Sequence, residues 1–180
     1  IWCGHSNATY EQARAAFAQG ATGATHLFNA MSPMQSREPG LVGAALANDN
    51  VDIGVIADGH HVHPAVVKVA INSKPRSKVI LVSDSMSVTG TEATQFDYLD
   101  GVVTVDAEGR CLDERGVIAG ARLGMGEAVV NTARFLDRKI DDVIGFATTN
   151  PARVLGLQDQ LGRVLPGYRA SFVVLNDDNS

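Results

Sequence analysis

The chain has 180 residues, 45 % of them hydrophobic and 19 % charged, and a formal net charge of −5, which allows one good core or part of a larger one. The acidic balance argues against a general affinity for nucleic acid or an anionic membrane, because no basic patch exists to neutralise phosphates, so an anionic ligand must be held by a few local groups. Cys3 and Cys111 are too few for a disulfide framework and lack C-x-x-C spacing; with no long apolar run and no charged-then-apolar leader, the reading is a cytoplasmic protein without a transmembrane helix.

The chain opens on Ile1-Trp2-Cys3-Gly4-His5, which reads as the inside of a strand with no initiator Met or preceding cap, so a start partway through a larger protein is expected. Thr9-Tyr10-Glu11-Gln12 has the form of a capping box, and Tyr10, Ala13 and Phe17 recur at helical spacing until Gly20. A second strand arrives at Ala24-Thr25-His26. His5 and His26 therefore occupy equivalent places at the carboxyl ends of consecutive strands, on the rim where parallel α/β proteins hold ligands. Asn29-Ala30-Met31 leads into a loop broken by Pro33 and Pro39, with Arg37 inside it.

Leu41 to Ala47 is small and apolar enough for a short helix, and Val51 to Ala57 reads as a third strand followed at once by Asp58-Gly59-His60-His61-Val62-His63-Pro64. Pro64 suits the first turn of a helix whose buried side is expected to carry Val66, Val67, Val69 and Ala70. Lys78 to Asp84 is a fourth strand, apolar without alternation, as expected when both faces are covered. From Gly90 the pattern changes: Tyr98 to Val105, a turn around Glu108-Gly109 and Arg110 to Leu112 read as a hairpin or an irregular excursion. Gly116 to Gly120 then leads to a long helix at about Met125 to Leu136 with Val129, Thr132, Phe135 and Leu136 on one stripe. Asp141 to Thr148 is amphipathic, Asn150-Pro151 has the cap-then-proline pattern of a short helix, and Ala170 to Leu175 is expected to form a final strand.

Four successive strands thus end on His5, His26, the Asp58 to His61 cluster and Asp84. Gathering such groups on one rim without purpose costs stability at each. Two imidazoles alone are equally compatible with metal-free rim histidines; with Asp84 added, a mononuclear or binuclear divalent site with an open position for water becomes the better reading. Asp84 could alternatively cap the turn that follows it, and Arg37 could be a solvated loop charge.

The segments Gly4-His5-Ser6-Asn7-Ala8-Thr9, Thr25-His26-Leu27-Phe28-Asn29-Ala30-Met31, Arg37-Glu38-Pro39-Gly40, Ala57-Asp58-Gly59-His60-His61-Val62 and Ser83-Asp84-Ser85-Met86 resemble the blocks of the N-acetylglucosamine-6-phosphate deacetylases. These belong to the amidohydrolase superfamily, and the tail from Thr149 through Leu161-Gly162-Arg163 to Pro166-Gly167 resembles that superfamily's usual ending. The resemblance runs in order over essentially the whole chain. It implies an α/β fold: residues 1–160 as the second half of a metal-dependent (β/α)8 TIM barrel, and residues 161–180 as strands of a small β-sandwich.

The resemblance implies that His5 and His26 are ligands of a divalent metal, zinc first and iron or another ion as alternatives. It makes Asn29, Ala30, Ile118, Ala119 and Gly120 contacts to a phosphosugar, with Arg37 and His61 holding its phosphate. Asp84 becomes the base that takes a proton from the attacking water and returns it to the departing amine. Ala121 stands where the family more often carries Ser. The family's Glu ligand belongs to earlier strands and is not in this sequence, so the 180 residues alone are expected to be a poor catalyst, and the full-length protein is expected to be a homodimer. Two other readings remain: a dihydroorotase- or deaminase-like amidohydrolase, and a non-enzymatic half-barrel used for binding or assembly.

Overall fold

The computed structural model describes residues 1–99, 101–174 and 176. Its first sheet is built from four short strands: β1 (Trp2–Cys3), β2 (Gly23–Ala24), β3 (Asp52–Val55) and β4 (Val79–Leu81), in that order across the sheet. All neighbours run parallel, with Cys3 opposite Ala24, Ala24 opposite Ile53, and Val55 opposite Leu81. Parallel pairing requires each connection to cross back over the sheet, and helices make these crossings. They are α1 (Tyr10–Ala18), α2 (Gly40–Leu46) and α3 (Pro64–Asn72).

The local signals explain these elements. Thr9 Oγ1 accepts from the Gln12 N–H while Gln12 Oε1 accepts from the Thr9 N–H, the reciprocal cap expected for α1. Every residue of β3 and β4 is buried, as the apolar run of β4 requires, with Ile53, Val55 and Val79 fully so and the buried Asp52 of β3 paired with Arg153. Each such aliphatic side chain stabilises the fold by about 1.5–3 kcal/mol relative to exposure. The main core joins these strands to Phe17 of α1, Leu41 and Val42 of α2, and Val67 of α3.

Beyond β4 the chain forms a second sheet of four antiparallel strands. These are β5 (Gln95–Tyr98), β6 (Gly101–Val105), β7 (Cys111–Leu112) and β8 (Ile118–Gly120). The expected hairpin is present but is the middle of a larger unit. Ile118 to Gly120, expected as a lead-in to a helix, instead closes the sheet against β7. A small cluster of Val88, Val103 and Cys111 fills it. The long helix α4 (Met125–Leu136) follows as expected and buries Val129, Thr132 and Leu136, after which come α5 (Ile140–Val143), a 3₁₀ turn and α6 (Thr149–Val154).

Three expectations are corrected. Val66 and Val69 are 38 % and 64 % exposed, because the nine residues of α3 bury one stripe, Val67, Ala70 and Ile71. Asn150 lies inside α6 rather than capping it, and its amide donates to the carbonyls of Arg76 and Val79 below β4. Residues 161–174 form no strand, so the terminal strands expected over 161–180 are not seen in this described part, and Leu175 lies outside the described residues. Phe172, Val173 and Val174 are exposed, and an apolar segment takes strand form only when another strand offers it a ladder. Of the fold class, an α/β architecture with four parallel strands is present; among the described residues β1 and β4 each pair on one side only.

Candidate active site

All four parallel strands deliver a polar group to the same end of the sheet. After β1 the chain turns at His5 and after β2 at His26, which is 9 % exposed, and the two rings meet edge to face with centroids 4.8 Å apart. The Ser6 to Met31 bridge and the Thr25 N–H bond to the Cys3 carbonyl hold the two strand ends together, and the Leu27 N–H bond to the Gly54 carbonyl ties the second to β3. Gly54 is needed there: a Cβ would stand 3.2 Å from the His26 backbone nitrogen and 3.2 Å from the Trp2 ring. His26 Nδ1 is buried and has no hydrogen-bond partner among the described residues. An imidazole nitrogen left unpaired in that way is available to a ligand.

The third strand leads into the Asp58 turn. Asp58 Oδ1 accepts from the N–H groups of His60 and His61 at 2.9 Å each, and Oδ2 lies 2.5 Å from His61 Nδ1. Burial pushes the Asp58 carboxyl toward neutrality, but the hydrogen bonds from the His61 side chain, its backbone and that of His60 outweigh it and hold the group below its ordinary range. His63 caps α3 by accepting from the Ala65 N–H. The fourth strand ends near Asp84, whose side chain makes no hydrogen bond among the described residues, so the capping alternative has no support there. The Asp84 backbone carbonyl accepts from Ala121, tying the strand end to the second sheet.

These groups converge on one cavity of about 470 Å³, lined by His5, His26, Phe28, Asn29, Ala30, His61, Asp84, Val117, Ile118 and Ala119. Asn29 is anchored through Nδ2 to the carbonyls of His26 and Leu27. Two expected contacts are not part of the lining. Gly120 lies beneath it, where a Cβ would meet Met86 Sδ at 2.5 Å and the Asp84 carbonyl at 3.1 Å; this glycine lets β8 approach the Asp84 loop. Arg37 is exposed on its loop and does not reach the cavity, because the loop is held by local bonds such as that from the Gln35 N–H to the Glu38 carbonyl.

Sequence reasoning missed Phe28 and Val117 as lining residues, and missed backbone strain altogether. His5, His26, Phe28, Ala30 and Asp84 all have positive φ, between 27° and 79°; elsewhere only Leu99 and Asp137 do so among described non-glycine residues. Left-handed backbone at such residues costs about 1–3 kcal/mol each, and its concentration around one cavity marks a site for which stability was given up. No local sequence signal encodes it.

Among the described residues, no set of three or more His, Cys, Asp or Glu side chains is arranged to hold a metal ion by itself. Two adjacent imidazoles, one with an orphaned buried nitrogen, nevertheless suit part of a divalent site that draws its remaining ligands from elsewhere. No helix is long and apolar enough to cross a membrane among the described residues.

Residues 1–180 match the amidohydrolase family, and the chain belongs to it. Within that family it is similar to hexosamine-phosphate deacetylases. It is 42 % identical over 179 residues to the N-acetylgalactosamine-6-phosphate deacetylase of Shewanella sp. (strain ANA-3), covering 99 % of this chain and 45 % of that protein. It is 41 % identical over 174 residues to the N-acetylglucosamine-6-phosphate deacetylase of Haemophilus influenzae, covering 95 % of this chain and 45 % of that protein. The crystal structure of N-acetylglucosamine-6-phosphate deacetylase from Pasteurella multocida superposes with a TM-score of 0.93 at 34 % identity, over 99 % of this chain and 46 % of that one. The chain spans about half the length of the curated relatives it matches.

Proposed function

We propose that this chain is the catalytic-rim half of an N-acetylglucosamine-6-phosphate deacetylase, which hydrolyses the acetamide to glucosamine 6-phosphate and acetate. The observation that carries the reading is the convergence of His5, His26, His61, Asp84, Asn29 and Ala30 on one cavity. In this reading residues 1–160 form half of a (β/α)8 barrel interrupted by the second sheet, and residues 161–180 belong to a small β-sandwich.

His5 and His26 would hold a divalent ion, zinc by preference, together with ligands from outside these 180 residues. When bound, that ion polarises the acetamide carbonyl, a poor electrophile on its own, and lowers the pKa of nearby water. The remaining chemistry falls to the chain. Asp84, whose carboxylate makes no hydrogen bond among the described residues, takes the proton of the attacking water as the C–O bond forms, and returns it to the nitrogen as the C–N bond breaks. His61, Asn29 and Ala30 orient the phosphosugar, with Phe28, Val117, Ile118 and Ala119 supplying the apolar part of the lining. Arg37 would have to be carried over the cavity by loop movement to meet the phosphate.

Residues 1–180 alone are then a poor catalyst, since among the described residues β1 and β4 each lack a neighbour on one side. The test is acetate release by the intact protein from N-acetylglucosamine 6-phosphate, its galactosamine epimer and unphosphorylated N-acetylglucosamine, with ring opening of dihydroorotate followed separately. The reading requires turnover of the phosphorylated acetamides. Turnover of dihydroorotate alone would favour the other amidohydrolase reading, and no turnover with no bound metal would favour the binding module.

A further inference from the structure

The Asp58 carboxylate lines no part of the substrate cavity, yet it is built with unusual care. Its side chain is 10 % exposed and that of His61 is 6 %, and they face each other at 2.5 Å. Neither oxygen of Asp58 is spare: Oδ1 receives two backbone N–H groups and Oδ2 meets the ring. The turn itself is fixed from behind, by the Asn131 amide donating to the Ala57 carbonyl. Asp58 therefore cannot swing away from His61, and His61 Nδ1 has its partner whether or not a ligand is present. Only Nε2 is left to face the cavity that His61 lines.

We propose that Asp58 is a positioning residue for substrate binding: it accepts from Nδ1–H and so fixes the His61 ring with Nε2 turned to the anionic end of the phosphosugar, to which Nε2 bonds through the proton that a phosphate monoanion brings. This rests on the function proposed above and deepens it. A carboxylate that holds a neighbouring imidazole in one tautomer and one rotamer removes the cost of arranging that ring when the ligand arrives. Asp58 acts through His61 alone, so its effect belongs to binding and not to the proton transfers at Asp84.

The test uses the intact protein and the substitutions Asp58→Asn, His61→Asn and the pair. Asn keeps an oxygen for the two backbone N–H groups but turns an N–H toward the ring, which drives the His61 proton from Nδ1 to Nε2. Long-range ¹H–¹⁵N spectra, with the His61 signals identified by their loss in His61→Asn, should show Nδ1 protonated in the wild type and unprotonated in Asp58→Asn. Kinetically, Asp58→Asn should raise KM for N-acetylglucosamine 6-phosphate about tenfold or more, the size of one lost hydrogen bond to a charged group, with kcat within about threefold. The double variant should match His61→Asn within about threefold.

An unprotonated Nδ1 in the wild type would overturn the proposal even if Asp58→Asn failed to fold. So would a fall in kcat with KM unchanged, or effects of the two substitutions that multiply. If the wild type released no acetate, the function proposed above would fall, while the spectra would still decide whether Asp58 holds the ring.

Discussion

The imidazoles of His5 and His26 stand edge to face, their planes at 79° and their centroids 4.8 Å apart, at the ends of two adjacent parallel strands. That pairing is a product of topology. A strand–helix–strand unit returns the second strand beside the first in the same direction, so residues that follow equivalent strand positions land side by side. It makes the rim a place where a cation can be held by groups distant in sequence.

If these rings share an ion, His5→Ala should lower the metal content of the intact protein by most of its stoichiometry. Elemental analysis of wild type and variant after identical purification reads this directly. Acetate release should fall with the metal and not return at ordinary added zinc. Full metal content in the variant would remove His5 from the ligand set.

Gly120→Ala tests whether the second sheet shapes the site. The new Cβ would sit 2.5 Å from Met86 Sδ, which can move, and 3.1 Å from the Asp84 carbonyl oxygen, which is backbone and resists. The expected cost is about 1–3 kcal/mol of stability, seen as a lower thermal midpoint, with a fall in kcat because the strain is delivered to the Asp84 loop. A variant with a lower midpoint and unchanged kcat would show that β8 supports the fold without setting the Asp84 carboxylate.

Asp58 gives a pH signature. Its pKa in the folded protein lies below the ordinary range of an aspartate, so its contribution to stability is complete above that range and is lost as pH falls through the lower, folded value. Chemical denaturation should therefore show wild type more stable than Asp58→Asn by a constant margin between about pH 5 and 7, narrowing below about pH 4. A margin that widened on acidification would contradict the geometry around His61.

The order of elements was legible because the relevant signals are local: the Thr9 capping box, the glycine after α1, the proline that opens α3, and the unbroken apolar run of β4. The rim residues followed from those strand ends and from the family blocks. What stayed hidden depends on contacts across the chain. Ile118 to Gly120 becomes a strand because Cys111 and Leu112 lie beside it, and Val66 and Val69 stay exposed because α4 covers the other side of α3. The positive φ angles at His5, His26 and Asp84 are imposed by tertiary structure on residues that would not choose them. The hold of Asp58 on His61 needs a side-chain rotamer that three residues of spacing do not specify.

The claim on which the account rests is that the carboxylate of Asp84 moves the protons of amide hydrolysis at this rim. The most direct measurement is acetate release from N-acetylglucosamine 6-phosphate by the metal-replete intact protein and by Asp84→Asn, with binding of the phosphosugar followed in parallel. The account predicts that the variant still binds the phosphosugar but turns over at least about 100-fold more slowly. Equal rates for the two proteins would contradict it.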